Sequence, residues 1–272
     1  MDESRQRFRC PRRVKPLFSV EEKVMRRCLL SLLGMIGCIN LAVAAEVSVL
    51  SAGAVEPGVH AFVDNVKRDH GYTVKVQFNT APQIAKRLAA GEVYDILISP
   101  PAAIDQAIKD GKVSADGRVK VGRVGAGIIV RDSAAAPNVA TVDALKQALL
   151  AADSVVYNSA STGLYLDKLF ANMGILEQIK PKTTRYPDGA SVMEHVIKGK
   201  GNEIGFGAIT EIKMYTSKGL KLVGPLPADV QNYTSYDAAL MNGAPNAEAA
   251  KAVLKQLATP AAKATFTAAG IE

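Results

Sequence analysis

The apolar residues of positions 46–272 follow two alternating patterns. Short continuous apolar runs, such as Val47–Leu50 and Ile96–Ser99, are typical of buried strands. Between such runs, apolar residues recur at helical spacing, as in the segment from Val55 to Val66, which places them on one face of a helix. Repeated alternation of strand and helix predicts an α/β fold with a mainly parallel sheet flanked by helices.

This pattern occurs twice and is interrupted near Val121–Gly127. Strands are predicted at 47–50, 73–78, 96–99, 127–130, 154–157, 183–186, 204–207, 220–223 and 236–241. Helices are predicted after most of these strands, and two alanine-rich helices near 249–257 and 261–269 close the chain. We therefore predict two lobes with a ligand cleft between them. Residues 46–125 with 225–272 form the first lobe, and residues 126–224 form the second.

Residues 1–45 have the composition of a leader. Met25–Arg27 is a charged segment, Cys28–Ile36 is an apolar run, and Ala42–Ala44 offers a small-residue cleavage site. This order is typical of secretory signal peptides, so we predict export to the periplasm through a cleavable signal peptide. The basic stretch before Met25 has no hydrophobic periodicity, which indicates an upstream start codon and a true start at Met25.

The three cysteines, Cys10, Cys28 and Cys38, all lie in this leader. The exported body therefore has no disulfide and no thiolate site. Met35–Cys38 is close to the pattern at which bacterial lipoproteins are cleaved and acylated, so a lipid tether at Cys38 is an alternative. Soluble release is favoured because Val47 already begins a strand and leaves little linker. No later run reaches the roughly 18 apolar residues of a membrane span.

The basic character of the chain resides mostly in the leader. The whole chain has a net charge of +7, of which residues 1–45 contribute +5, so residues 46–272 carry +2. A nearly neutral body with few aromatic residues does not favour nucleic-acid binding. A body of this length can bury a substantial core, and a monomer is expected.

Three turns of small residues join the end of a predicted strand to the start of a predicted helix. A helix N-terminus offers unpaired N–H groups and a partial positive charge, and ligands of open α/β sheets collect at this edge. These turns therefore form a candidate anion site, although simple capping of the helices is the alternative for each hydroxyl. The candidate ligand-binding residues are Ser51, Gly53, Ala54, Asn79, Thr80, Ser159, Ser161 and Thr162.

Arg123 is a further candidate, because it lies between glycines at the predicted junction of the two units. A planar guanidinium can hold a carboxylate with two hydrogen bonds. The alternative is an arginine that is exposed or engaged in a salt bridge.

Enzyme motifs give little guidance. His60, His70 and His195 are far apart and lack the spacing of metal ligands, so no metal and no cofactor are expected. The sequence contains no Gly-x-Ser-x-Gly, P-loop or Rossmann fingerprint. Asp188 and Tyr165 could act as acid or base only if they faced the cleft, so the catalytic residues, if any, stay unidentified.

Several segments carry a resemblance to a known family. They are Val47–Ala52, Gln83–Gly91 leading to Asp95–Ser99, and Pro260–Ala264. With these segments the body resembles the molybdate-binding branch of the periplasmic type II solute-binding proteins over nearly its whole length. The resemblance implies two α/β lobes joined by two strands, with the ligand between them.

The ligand of that branch is not implied. The resemblance implies that an oxyanion is held by serines of the first two turns, by small residues of the second lobe and by a tyrosine after a late strand. This chain has Gly53–Ala54 and Asn79–Pro82 in those turns, and no tyrosine in Gly205–Ala208. Each lost hydrogen bond to a charged group costs about 1–3 kcal/mol. A larger anion with a carboxylate is therefore expected instead of molybdate.

Two functions are consistent with this pattern. The first is a binding protein that captures a small organic anion and delivers it to an ABC-type permease. The second is an enzyme on the same scaffold, since bacterial aconitate isomerase also resembles this branch. That reaction moves a proton along the allylic system of a tricarboxylate, which requires anion-binding groups and a positioned base but no metal. Binding is the leading hypothesis, because no base can be identified from the pattern.

Overall fold

The structure is a computed structural model that describes residues 46–272. The predicted signal peptide, the start at Met25 and the alternative tether at Cys38 lie outside these residues. None of the helices in the described part of the chain is both long and apolar enough to span a bilayer.

Nine strands form within residues 46–272. They are β1 (Glu46–Ala52), β2 (Thr73–Asn79), β3 (Ile96–Ser99), β4 (Val119–Arg131), β5 (Ser154–Asn158), β6 (Thr183–Tyr186), β7 (Glu203–Ala208), β8 (Leu220–Pro225) and β9 (Tyr233–Leu240). Every strand predicted from the apolar pattern is present, and most extend further than predicted.

Ten α-helices cover the sheets in the same region. They are α1 (Glu56–His70), α2 (Ala81–Ala89), α3 (Pro101–Lys109), α4 (Val142–Ala151), α5 (Ser161–Asn172), α6 (Leu176–Ile179), α7 (Gly189–Lys198), α8 (Ile209–Lys213), α9 (Ala247–Leu257) and α10 (Pro260–Ala268). A single 3-10 turn, Gly53–Val55, joins β1 to α1. The short helix α8 was not predicted, because five residues are too few to show a helical period.

The sheet continues from one lobe into the other. Strands follow each other in the order β2-β1-β3-β9-β4-β7-β5-β6, with β8 also paired to β4. In the first lobe β1 pairs in parallel with β2 and β3, and in the second lobe β5 pairs in parallel with β6 and β7. Both lobes also contain antiparallel strands, since β9 and β4 run against their neighbours. The fold is the expected two-lobed α/β architecture.

Strand β4 connects the two lobes. Its residues from Val119 to Gly125 pair with β9, and those from Ala126 to Arg131 pair with β7 or β8. The strand predicted at 127–130 therefore begins earlier, at Val119, and runs through the predicted junction of the two units. The glycines interrupt the apolar pattern of the sequence but not the strand. At Gly127 the missing side chain leaves room for neighbouring residues, since a Cβ there would lie 2.9 Å from atoms of Ile209 and Ile212.

Separate hydrophobic clusters stabilise the lobes. One cluster surrounds β1, β3 and α1 and includes Leu50, Leu97 and Phe266. Two others pack on opposite faces of the second sheet, one around Phe170 and Phe206 and the other around Val192, Met193 and Ile212. Because each lobe buries its own apolar residues, each is a stable platform for one wall of the cleft. The exact lobe limits proposed above stay predictions.

Asp95 fixes the first lobe next to the start of β3. It is fully buried, and its carboxylate accepts hydrogen bonds from the N–H of Ser48 at 2.8 Å, the hydroxyl of Ser48 at 2.8 Å and the N–H of Asn246 at 2.6 Å. Burial alone would raise the pKa of Asp95, but the hydrogen bonds from Ser48 and Asn246 outweigh it and lower the pKa. The ionised carboxylate thereby ties β1 and β3 to the segment before α9.

Replacing Asp95 by Asn is expected to destabilise the protein by about 2–3 kcal/mol at pH 7, because an amide NH₂ would face buried N–H donors. The group contributes stability above its unfolded pKa, and this is lost as the pH falls through the lowered folded pKa. The difference from wild type should therefore shrink below about pH 4. Urea denaturation at several pH values measures it.

Asp110→Asn is the matched control, since Asp110 is exposed and accepts from Gln106 one helical turn away. It should change the free energy of unfolding by less than about 0.5 kcal/mol. Equal effects of the two substitutions would contradict the role assigned to Asp95.

Candidate functional site

A cavity lies where the two lobes face each other. Its lining comes from the ends of β1, β2 and β5 and from the first residues of the helices that follow, with contributions from β7, α8 and β9. The lining residues are Ala52, Gly53, Ala54, Asn79, Thr80, Ala81, Pro100, Asn158, Ala160, Ser161, Thr162, Ala208, Glu211 and Tyr236. Most are small, so backbone groups are accessible from the cavity.

Three helices of at least nine residues begin at this cavity: α2 after Thr80, α3 after Pro100 and α5 after Ala160. Their first N–H groups lack partners within the helix, and the helix dipoles add positive potential. The lining residues include no lysine, arginine or histidine. An anion in this cavity would therefore be bound by neutral donors and helix N-termini.

Six of the predicted ligand-binding residues line this cavity together. They are Gly53, Ala54, Asn79, Thr80, Ser161 and Thr162. The three turns identified in the sequence thus meet at one place, although 108 positions separate the first turn from the third.

Two predicted serines lie elsewhere. Ser51 is completely buried within β1, and its hydroxyl donates to the carbonyl of Ala52 at 3.2 Å. Ser159 is exposed, and its N–H donates to the carbonyl of Tyr186 at 2.8 Å. Neither is among the residues that line the cavity. The first strand runs two residues longer than predicted, and this takes the hydroxyl of Ser51 away from the turn.

Arg123 is likewise not brought to the cavity. It lies in β4, where its guanidinium pairs with the Glu272 carboxylate at 3.0 Å and stacks over the ring of Tyr233 at 4.4 Å. Its side chain is 53% exposed. Arg123 is therefore an exposed arginine engaged in a salt bridge, which was the alternative to a ligand-binding role. The structure offers no support for Arg123 as an anion clamp.

Glu211 is the functional candidate that the sequence pattern did not reveal. It lies on the short helix α8, and its carboxyl group sits between a glycine of each lobe. A Cβ at Gly53 would lie 2.9 Å from Oε1, and one at Gly189 would lie 2.5 Å from Oε2. The neighbouring Thr210 anchors this helix to the first lobe, since its hydroxyl donates to the carbonyl of Ala54 at 2.5 Å. The two glycines create the space that the carboxyl group occupies.

Burial and neighbouring charge alter the acidity of this group. Burial of the carboxyl, followed by the charges of Glu56 and Asp188, raises the pKa of Glu211 from 4.5 to about 7. A carboxyl with a pKa near neutrality can both accept and return a proton at physiological pH. Perturbed carboxyl groups in clefts are characteristic of functional sites.

Tyr236 faces the same cavity from β9. It is 6% exposed, and burial raises its pKa, so its hydroxyl stays protonated at neutral pH. The resemblance to molybdate-binding proteins implies a tyrosine at a late strand, and the end of β7, Gly205–Ala208, contains none. The structure places one in the cleft from a different strand.

Asn158, the last residue of β5, is a further polar lining residue that was not predicted. It is 5% exposed, and its side-chain oxygen accepts hydrogen bonds from the N–H groups of Ala160 at 3.0 Å and Gly163 at 3.2 Å. The sequence offered one signal for this residue, because Asn158 is a polar residue at the end of a strand and directly precedes a predicted turn.

Unpartnered polar atoms lie at the first-lobe wall. The side-chain oxygens of Asn79 and Ser99 are buried and have no hydrogen-bond partner within the described residues. Asn79 lines the cavity, and Ser99 directly precedes the lining residue Pro100. Buried polar atoms are rarely left unpaired in proteins, so these atoms indicate where a ligand or ordered water would bind.

The other acid–base candidates have local structural partners. The Asp188 carboxylate caps α7 by accepting from the N–H of Ser191 at 2.8 Å, and the Tyr165 hydroxyl donates to the carbonyl of Val230 at 2.7 Å. His195 shares a 2.9 Å hydrogen bond with the hydroxyl of Tyr186. Within residues 46–272 no cluster of His, Cys, Asp and Glu side chains could hold a metal ion.

Solved structures share this architecture at low sequence identity. The periplasmic molybdate-binding protein of Azotobacter vinelandii matches with a TM-score of 0.70 and 14% identity over 83% of this chain and 98% of its own. A sulfate-binding protein from Mycobacterium tuberculosis matches with a TM-score of 0.66 and 15% identity over 84% of this chain and 86% of its own. The structure therefore has the fold of type II periplasmic binding proteins.

Sequence comparison identifies the family. Residues 47–272 match the bacterial extracellular solute-binding protein family, so the chain belongs to it. A curated relative, aconitate isomerase from a Pseudomonas species, is 29% identical over 233 residues, which cover 83% of this chain and 87% of the relative.

Replacing Glu211 by Gln is expected to stabilise the protein at pH 8. Because the folded-state pKa of Glu211 is about 7 and its ordinary value is 4.5, the folded state loses stability as the pH rises from about 4.5 to 7, and the full penalty is present at pH 8. The neutral amide removes this penalty of about 2–3 kcal/mol, which corresponds to a rise in Tm of about 5 °C. The difference should disappear below about pH 4.5, where both forms are neutral.

Thermal melts of both proteins across this pH range test the expectation. Glu194→Gln is the control, because Glu194 is exposed and pairs only with Lys198 one turn away on α7. A Tm of the Glu211 variant at or below that of wild type at pH 8 would contradict the assigned pKa shift.

Proposed function

We propose that this protein is an isomerase built on a solute-binding scaffold, and that it interconverts cis- and trans-aconitate by allylic proton transfer. A base removes a proton from the methylene carbon beside the double bond, the electron pair shifts along the allylic system, and a proton returns at the other end. Atoms balance without a cofactor or an oxidant, and one group can carry the proton in both directions.

The observation that carries the proposal is the carboxyl group of Glu211 in an otherwise neutral anion cavity. A site that only binds anions gains nothing from a carboxylate of the same charge sign. A base benefits from this position, because its raised pKa, about 7, matches the pH at which it must take up and return a proton.

The rest of the cavity suits the charge that develops in this reaction. Removal of the proton shifts negative charge into the carboxylate conjugated with the allylic system. Helix N-termini at α2, α3 and α5, together with the neutral hydroxyl of Tyr236, are donors already positioned for such charge. The similarity to a curated aconitate isomerase over most of both chains supports the same reaction.

The purified protein is expected to convert cis-aconitate to trans-aconitate, followed by ¹H NMR. In D₂O the product methylene should gain deuterium whenever the proton on Glu211 exchanges with solvent. Glu211→Gln should lower kcat by about 10²–10⁴-fold, the usual contribution of a general base. Glu194→Gln should retain wild-type kcat, since Glu194 lies on the exposed face of α7.

The pH profile gives an independent measurement. Glu211 must be ionised to accept a proton, so kcat/KM should rise with pH and level off above the pKa of about 7. Absence of turnover by the wild-type protein between pH 6 and 9 would refute the isomerase proposal.

A second candidate is an exported binding protein that delivers a small organic anion to an ABC-type permease. The family and the structural neighbours named for binding molybdate and sulfate favour it. A periplasmic location is part of both proposals. In this reading Glu211 would accept a hydrogen bond from a protonated group of the ligand.

A thermal-shift screen separates the ligand classes. Di- and tricarboxylates should raise the Tm, whereas molybdate and sulfate should not, because the first-lobe turns in the lining offer one side-chain hydroxyl, that of Thr80. Stabilisation by a carboxylate without turnover would select the binding protein, and stabilisation by molybdate would refute the preference for carboxylates.

A further inference from the structure

We infer that the side-chain amide of Asn158 donates a hydrogen bond to a carboxylate of the ligand and is a catalytic residue of the proposed isomerisation. The inference rests on the proposed function for the identity of the ligand, although the binding geometry stands without it.

The orientation of the amide follows from its partners. Its oxygen accepts from two backbone N–H groups, those of Ala160 and Gly163, which fills the acceptor sites of that oxygen. The NH₂ group must therefore point the other way. Within residues 46–272 it makes no hydrogen bond with the protein, and Asn158 lines the cavity. A donor of a side chain that is only 5% exposed is thus directed into the cleft.

The amide is also held rigidly. The backbone carbonyl of Asn158 accepts from Nε of Arg185 at 3.2 Å, and Arg185 is fixed by two hydrogen bonds to Asp167 at 2.9 and 2.8 Å. Helix α5 packs directly on this carbonyl, since a Cβ at Gly163 would lie 1.7 Å from the oxygen. Only glycine fits there. The donor is therefore in place before a ligand binds, and no reorganisation is needed when charge develops.

Two more donors lie next to the amide. The N–H groups of Ser161 and Thr162 belong to the first turn of the 12-residue helix α5 and make no hydrogen bond with other described residues. Both residues line the cavity and add hydroxyl groups. A carboxylate at this helix N-terminus can use one oxygen for the backbone N–H groups and the other for the Asn158 amide.

This position predicts an effect on rate as well as on affinity. The carboxylate that is conjugated with the allylic system gains negative charge as the proton leaves for Glu211. A fixed donor therefore binds the transition state more tightly than the ground state. Loss of the Asn158 donor should lower kcat more than it raises KM.

Asn158→Asp removes the donor but also adds a negative charge to the cavity. Asn158→Ser is therefore measured beside it, because a serine hydroxyl keeps an acceptor for the same N–H groups without that charge. The carboxylate of Asp still accepts from Ala160 and Gly163, so the start of α5 is preserved and the Tm should stay within about 3 °C of wild type. The group that faces the cavity is then a carboxylate oxygen instead of the NH₂ group. We expect kcat for cis-aconitate to fall by about 10²–10³-fold, as for the removal of an oxyanion donor elsewhere.

Binding is measured separately with propane-1,2,3-tricarboxylate, which has the same three carboxyl groups but no allylic system. Isothermal titration should show at least a tenfold weaker affinity for the Asn158→Asp protein. Asn138→Asp is the matched control, because the Asn138 oxygen also accepts a backbone N–H two residues ahead, at 3.1 Å from Ala140, in an exposed loop. It should leave affinity, kcat and KM unchanged.

The outcomes distinguish this inference from the proposed function. If the wild-type protein binds the tricarboxylate and both Asn158→Asp and Asn158→Ser lose affinity, the Asn158 donor is supported even where no turnover occurs. A loss confined to Asn158→Asp would reflect charge repulsion and would refute the inference. If the folded Asn158→Asp protein binds and turns over as wild type does, the inference is refuted while the isomerase stands. Equal losses in the Asn138 control, or no binding of either tricarboxylate by wild type, would also overturn it.

Discussion

The site depends on one constraint, which is that parallel strands bring their carboxyl ends, and the N-termini of the helices that follow them, to the same edge of a sheet. In this protein α2, α5 and the turn before α1 meet at such edges in two lobes that share strand β4. The lining contains no basic side chain, so the helix N-termini are the source of positive charge that it offers to an anion. Small residues at the turns keep those backbone groups accessible.

Two carboxyl groups, those of Asp95 and Glu211, have opposite effects on the stability of the folded protein. Asp95 is buried with three hydrogen bonds, and its lowered pKa stabilises the first lobe. Glu211 is placed against Gly53 and Gly189 near two other acids, and its raised pKa destabilises the folded protein above neutral pH. A group that weakens the fold in this way persists where its chemistry is used, which is the physical basis for assigning proton transfer to Glu211.

The family background and the proposed reaction are compatible. Solute-binding proteins enclose a small ligand between two lobes, and an enzyme needs the same enclosure to exclude water from a base and to position its substrate. In the proposed reaction Glu211 would be the base and Asn158 the rigid donor opposite the developing charge. Gly53 and Gly189 leave the space that the Glu211 carboxyl group occupies.

Hydrophobic periodicity and helix-start residues are local signals, so the α/β class, the strands, most of the helices and the three turns that meet at the cavity could be predicted from the sequence. The predicted β4 was too short, because its glycines break the apolar pattern without ending the strand. The positions of Arg123 outside the cavity and of Glu211 inside it depend on the packing of distant segments. The carboxyl of Glu211 acquires its surroundings from Gly53, 158 positions earlier, and from acids on other helices, so its acidity is a property of the packed lobes and not of the residues beside it in the chain.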